Sequence, residues 1–212
     1  MSGAGNRGLL ILGLGGHARS VADVALALGF HSLLFIDENA GPGERVLEFE
    51  TRREFKGPLP PGWSCLPASG ENKRRRVQVQ SAQAAGWPLA TLISPHASIG
   101  VGSQVGPGCF VGHHAHVGPM ARIGTGCILN TAAIVEHECI IGNFVHVSVN
   151  TTVAGRCRVG DCVFLGTGST VIDGTAVADD VTVGAGGLVI ASIDRPGTYV
   201  GVPVKAVDSP PR

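Results

Sequence analysis

The sequence predicts two architectures in series: a small Rossmann-like α/β domain over residues 1–94 and a parallel β-helix of hexapeptide repeats over residues 95–212. Three observations predict this. Strand-like and helix-like patterns alternate up to about residue 90. From Ile99 onward every sixth residue is Val, Ile or Leu, for sixteen successive positions ending at Val189. A phase held that long is the mark of a structural repeat. The composition, with 32 glycines and 13 prolines, 5% aromatics and yet 44% hydrophobic residues, suits many tight turns between short apolar strands and not a disordered chain.

In the first region Leu9–Leu12 reads as a buried strand, followed by the glycine-rich turn Gly13-Leu14-Gly15-Gly16. His17–Leu28 reads as a helix, because Val21, Val24, Ala25 and Leu28 form one apolar stripe, and Gly29 is placed to end it. Leu33–Ile36 is a second strand running into Asp37, and residues 39–61 read as loop. Glu71–Ala85 reads as a more polar helix, entered through Ser69-Gly70 and closed by Gly86, and Leu89–Ile93 as a further strand of a small parallel sheet. Ninety residues suffice for one mononucleotide-sized half of a dinucleotide fold.

In the second region each hexad supplies one short strand and one corner, and three hexads close a triangular coil of eighteen residues. Aliphatic side chains then point inward and stack at the ~4.8 Å spacing of paired strands. Glycine follows nine of the sixteen aliphatic positions, where it is expected to tolerate the backbone of a corner. Cys109, Cys127, Cys139 and Cys157 all fall two residues before an aliphatic position, a slot for a small semi-buried side chain.

The repeat breaks at Asn130–Cys139, where Asn130 and Glu136 replace the glycine and His137-Glu138 falls at a corner. A carboxylate beside an imidazole orients it and raises its basicity, which suits a general base. Gly155 lies eighteen residues, one coil, beyond His137, so its N–H can face the atom that His137 serves; His146 lies half a coil away, on another side of the prism. Should both histidines serve one substrate, they must come from adjacent subunits of a cyclic trimer.

The hexad array, Glu136-His137-Glu138-Cys139, Phe144–Ser148, the terminal Val200-Gly201-Val202-Pro203-Val204-Lys205, Gly13–His17 and Phe35–Glu38 resemble bacterial nucleotide-amino-sugar N-acetyltransferases, with sialic-acid O-acetyltransferases sharing the layout. The resemblance, not the spacing, implies left-handed winding, since parallel crossovers are ordinarily right-handed. It implies that acetyl-CoA acetylates the amine of a UDP- or GDP-linked 4-amino sugar in bacterial surface-glycan synthesis. His137 is then the general base and Glu138 its orienting partner. His146 and Gly155 would contact the thioester, with Thr167, Ala185 and Lys205 along the CoA arm. Gly15, Gly16, His17, Asp37, Glu38, Gly70, Asn72 and Asn130 would hold the nucleotide sugar. Trp63–Pro67 is less aliphatic than the strand the family places there.

Other readings compete. A sugar O-acetyltransferase fits the same layout. His113-His114-Ala115-His116 invites a metal-dependent hydratase, but no ligand triad is recognisable and no metal is expected. A non-enzymatic nucleotide-sugar binder leaves the His137-Glu138 corner without purpose. Sixteen basic residues balance sixteen acidic ones, which gives no broad attraction to nucleic acid or anionic membrane. The N-terminus lacks the pattern of a signal peptide, no apolar run is long enough to span a bilayer, and a cytoplasmic homotrimer with reduced thiols is expected. The run Lys73–Arg76 reads as a solvated helix face, with Arg75 a candidate for the diphosphate; His31 and His96 carry no signal, and Asp208–Arg212 reads as a disordered tail.

Overall fold

Gly8–Leu12 (β1) is buried at every residue because it lies between two parallel neighbours, Ser32–Ile36 (β2) and Trp63–Pro67 (β5). The computed structural model describes residues 7–207; the expectation for the Asp208–Arg212 tail lies outside them. Gly16–Ala27 (α1) follows β1 and buries the predicted stripe at Val21, Val24 and Ala25, and Gly29 ends it with φ 79°. The segment read as loop contains a hairpin, Arg45–Val46 (β3) and Phe49–Arg52 (β4), and β4 runs parallel to β2. Its alternation was short: Phe49 and Thr51 are half-buried, while exposed Glu50 and Arg52 pair with each other. The sheet order is β3-β4-β2-β1-β5. β5 opens on an aromatic residue where an aliphatic one is expected, and the Trp63 indole occupies the space beside Gly8, where a Cβ would lie 2.1 Å from Cε2. Asn72–Ala84 (α2) is capped by Glu71, whose carboxylate accepts from Lys73 and Arg74 N–H.

The segment Leu89–Ile93 divides between the two regions. Leu89 makes a bridge to Cys65 of β5, whereas Leu92–Ile93 pairs with Phe110–Val111 as the first rung of the prism. From there each two-residue strand pairs with the one eighteen residues on, as in His116-Val117 with Ile134-Val135. The rungs form three faces. The first runs from 92–93 to 181–183 and is continued by the C-terminal hairpin of 197–201 and 204–207, the second from 98–99 to 188–189, the third from 104–105 to 176–177. Every repeat aliphatic from Val111 to Val189 is buried. Ile99 stays 42% exposed, on the first rung of its face with no strand beyond it.

Glycine after the aliphatic residue serves another purpose than expected. The left-handed residues sit two further on, one per corner, including His114, Met120, Ala132, Glu138, Phe144 and Arg156. At Gly118, by contrast, a Cβ would stand 2.5 Å from the His137 N of the next coil, so glycine there permits close coil-to-coil approach. The cysteines are more than small hydrophobes. The thiols of Cys109, Cys127 and Cys139 lie 3.0 Å from the carbonyls of Gly124, Gly142 and Ala154, and Thr151 Oγ1 makes the same bond to Gly166 at 2.8 Å. Their slot places a donor under the carbonyl fifteen residues on.

The α/β unit lies on the first face. Phe110 and Ile128 share one core with Leu9, Val21 and Phe35. Beside that core Arg75 is fully buried. Its Nε donates to Gly126 O (2.6 Å), Nη1 to Ser69 O (3.0 Å), and Nη2 to Asn72 Oδ1 (2.8 Å) and Phe144 O (2.9 Å). Arg75 is therefore no diphosphate ligand but a brace between the two units. Burial pulls its pKa down to about 10, still charged at neutral pH. Asn72 completes the brace, with Nδ2 3.0 Å from both Cys162 O and Val163 O.

Two imidazoles lie along this seam, His146 buried and His17 half-buried with both ring nitrogens shielded from water. His17 has its ring edge-on to Phe110, and neither ring nitrogen has a partner. Burial, then His146 and Arg75, lowers its pKa to about 3. His146 has Nδ1 3.1 Å from Gly70 O and is lowered to about 4, by burial first and then by the Arg75 cation. Nδ1 therefore carries the hydrogen and Nε2 faces Asn130 Nδ2 at 3.5 Å.

Arg75→Met is expected to lower unfolding free energy by about 3 kcal/mol or more, because several buried carbonyls lose their donor, whereas Arg76→Met, exposed one residue on, changes it by less than about 0.5 kcal/mol. Denaturant titration of both variants checks this. Since both folded-state histidine pKa values are depressed, the unfolded chain binds more protons, and stability present above pH 6.5 is lost as pH falls, towards about 4 for His146 and about 3 for His17. A stability–pH profile should flatten in that window for His17→Asn.

Candidate active site

The glycine turn after β1 and the turn before α2 close on one cavity of about 300 Å³, which brings together Gly15, Gly16, His17, Asp37 and Gly70. Gly15 caps α1 without a side-chain bond, so the first-turn N–H groups are open to an anion. A Cβ at Gly15, Gly16 or Gly70 would meet nothing within 4 Å, so the space before these glycines is free for a ligand. Asp37 is fixed by turning back on Asn39, whose N–H and Nδ2 donate to its Oδ1 at 3.0 and 3.2 Å.

Sequence reasoning missed two residues here. Arg74 lines the cavity and reaches both carboxylates, 3.3 Å to Glu38 Oε1 and 3.8 Å to Asp37 Oδ2. Gln78 also lines it, with Nε2 2.9 Å from Leu12 O and Oε1 accepting from Ser69 N–H at 3.1 Å, which ties the two turns together. Helical spacing was the available signal: the buried face of α2 is Asn72, Arg75, Val79 and Ala82, which leaves Arg74 on the side turned to Asp37. Asn72 borders a neighbouring cavity of about 330 Å³, but both hydrogens of its amide are committed to the prism.

The His137 corner joins the second face to the third. Glu138 adopts φ 59°, and in this turn adjacent side chains meet: Glu138 Oε2 is 3.1 Å from His137 Nδ1, with both side chains about half exposed. Glu136 Oε2 accepts the His137 N–H at 3.2 Å. Nδ1 held on Glu138 turns Nε2 outward as the free basic nitrogen. One coil on, a Cβ at Gly155 would lie 2.5 Å from His137 Nε2, so a side chain there would displace the ring. No acceptor among the described residues takes the Gly155 N–H. At the other end of the second face stand Asn130, Thr167 and Ala185, with Thr167 Oγ1 3.2 Å from Ser148 Oγ. Lys205 lies on the C-terminal hairpin, paired with Val200, beside a cavity of about 190 Å³. Within one chain His137, Glu138 and Gly155 thus share a corner, and His146, Asn130, Thr167 and Ala185 lie across the prism from it. The His113 ring, considered above for metal binding, is engaged by Ser94 Oγ at 2.7 Å and Asp23 Oδ2 at 3.1 Å.

Among curated proteins nothing matches the sequence. The PglD N-terminal domain family matches residues 8–82. The acetyltransferase domain of PglB from Neisseria gonorrhoeae FA1090 is 32% identical with a TM-score of 0.88, over 95% of this chain and 100% of that one. The same domain in complex with acetyl coenzyme A gives 33% identity and 0.87, over 96% and 100%. PerB from Caulobacter crescentus, in complex with CoA and GDP-perosamine, is 30% identical with a TM-score of 0.82, over 94% and 97%. On this likeness along nearly its whole length, the chain belongs to the nucleotide-amino-sugar N-acetyltransferases, enzymes that carry a left-handed β-helix of hexapeptide repeats behind a small α/β domain.

Proposed function

We propose that this acetyltransferase moves the acetyl group of acetyl-CoA to the 4-amino group of a UDP- or GDP-linked 4-amino sugar, with His137 as general base, in a site shared by neighbouring subunits of a homotrimer. The observation that carries the reading is the half-exposed His137–Glu138 pair with the unpaired Gly155 N–H one coil beyond it. A corner with a base and a spare amide donor is what acyl transfer to nitrogen needs.

Acetyl-CoA supplies the acyl thioester; the protein supplies position and proton transfer. The cavity around Gly15, Gly16, His17, Asp37 and Gly70 suits the nucleotide sugar, with the open α1 terminus favouring diphosphate and the Asp37 carboxylate suiting donor groups of base or sugar; Glu38 lies outside that cavity, in an adjoining one beyond Arg74, where it can reach the ligand's outer edge. Asn72, whose amide hydrogens are committed to the prism, would act there by holding the Gly70 turn. Glu138 keeps His137 in the Nδ1–H tautomer, and Nε2 removes the proton from the attacking nitrogen. The Gly155 N–H stabilises charge that develops on the carbonyl oxygen. His146 and Asn130 lie next to the nucleotide-sugar cavity and across the prism from His137. This supports a trimer in which the His137 corner of one subunit faces Asn130, His146, Thr167 and Ala185 of the next, with Lys205 towards the far end of CoA. No helix among the described residues is long and apolar enough to cross a membrane; we place the enzyme in the cytoplasm, where both substrates are made.

His137→Ala is expected to lower kcat by about 10²–10⁴-fold with the oligomer intact, measured by CoA thiol release with an amino-sugar nucleotide and by light scattering. Wild-type turnover in that variant removes His137 as the base. His137→Ala chains mixed with Asn130→Ala chains should regain activity that neither has alone. A mixture no more active than its parts places the site within one subunit.

A further inference from the structure

Along one edge the prism caps its corners with a ladder of side chains, and the His137 edge holds a carboxylate in the corresponding position that does not cap. Where the third face turns into the first, each residue accepts the N–H of the residue one coil before it. Asn143 Oδ1 takes the Thr125 N–H at 2.9 Å, Asp161 Oδ1 that of Asn143 at 2.6 Å, and Asp179 Oδ1 that of Asp161 at 2.7 Å. Asp173 stands in the same relation to Gly155 at the His137 corner, yet it leaves the Gly155 N–H without an acceptor. Its Oδ2 is drawn instead to Arg156 Nη2, an ion pair in which both side chains are about half exposed. Its Oδ1 remains, 2.9 Å from the point where a Gly155 Cβ would sit, and His137 Nε2 is 2.5 Å from that same point. The base and a second carboxylate therefore face each other across the side chain that Gly155 lacks.

We propose that Asp173 is a specificity-determining residue of the acetyl transfer: its Oδ1 attracts the substrate as an ammonium ion beside His137 Nε2, which selects an amine over a hydroxyl nucleophile. The inference rests on the reading of His137 as base. Near neutral pH an aliphatic amine is mostly protonated, and a protonated nitrogen has no lone pair with which to attack. A carboxylate open to water collects the cation and passes its first proton to solvent. The freed lone pair then attacks the thioester carbonyl carbon. A C–N bond forms as the C–S bond breaks, and His137 Nε2 takes the second proton from nitrogen and returns it to the departing thiolate. The balance is ammonium sugar plus acetyl-CoA giving amide, CoASH and one proton. A hydroxyl nucleophile carries no charge and gains nothing from Asp173. Arg156 is a positioning residue, since by holding Oδ2 it keeps Asp173 off the Gly155 N–H.

The test is Asp173→Asn, assayed from pH 6 to 10 with acetyl-CoA and GDP-perosamine or a UDP-linked 4-amino sugar, whichever the wild type acetylates. The same nucleotide sugar with a 4-hydroxyl serves as competitive inhibitor. KM for the amino sugar should rise roughly fivefold or more at low pH, the scale of one lost contact to a partly exposed charge. The ratio to wild type should fall towards one above the amine pKa, where the substrate is neutral, while Ki of the hydroxyl analogue stays unchanged at every pH. A ratio that is the same at all pH values, or a parallel loss of hydroxyl-analogue binding, marks Asp173 as structural and overturns the inference. A normal KM throughout overturns it equally. Wild-type protein that acetylates neither sugar nucleotide defeats the underlying function, whereas a normal wild type with an unresponsive Asp173 variant defeats this inference alone.

Discussion

The buried guanidinium of Arg75 is the constraint on which the site depends. A cation removed from water with no carboxylate beside it survives only if its donors are matched. Here carbonyls from the turn before α2 and from two successive coils of the prism match them. One side chain therefore fixes where the turn before α2 stands relative to the β-helix. The Gly70 carbonyl also receives His146 Nδ1–H, so an imidazole of the first face and the turn before α2 share a bond. That lock adds direction to the apolar core the two units already share through Phe110 and Ile128.

Burial of His17 and His146 follows from the same lock. Both rings are held neutral beside a permanent cation. The unpartnered nitrogens of His17 carry a desolvation cost, and α1 and Phe110 hold the ring in place. Such a cost at a cavity wall is characteristic of a group kept ready for a ligand.

Much of this was legible in the sequence where a period exists, and little where a contact is made by residues far apart. The aliphatic ladder fixed register and inward face from Val111 to Val189, because a period of six allows one phase only. The His137 corner was legible as a departure from that period, and Gly155 by adding one coil. Arg75 was not: among Lys73, Arg74, Arg75 and Arg76 nothing local distinguishes the one buried residue from its exposed neighbours, and its partners Gly126 and Phe144 are remote in the chain. The β3–β4 hairpin was hidden by its brevity, and the first rung at Leu92 by its continuity with Leu89. The glycines were recognised but explained by the wrong constraint, since backbone conformation is set two residues later and steric approach of the next coil governs the glycine itself.

A prism of flat faces has one kind of place where chemistry can sit. On a strand, neighbouring side chains point to opposite faces, so an adjacent base and carboxylate could not meet there. At a corner the residue with positive φ reverses that geometry, and Glu138 at φ 59° lies against the imidazole of the residue before it. Every corner of the prism offers this reversal, so the reversal alone does not make a site. What differs at this corner is that the amide one coil on carries no side chain and no cap. The repeat thus supplies rigidity everywhere, and the His137 edge differs from the other corners in placing a glycine where each of them carries a side chain, which leaves space between the imidazole and the Asp173 carboxylate.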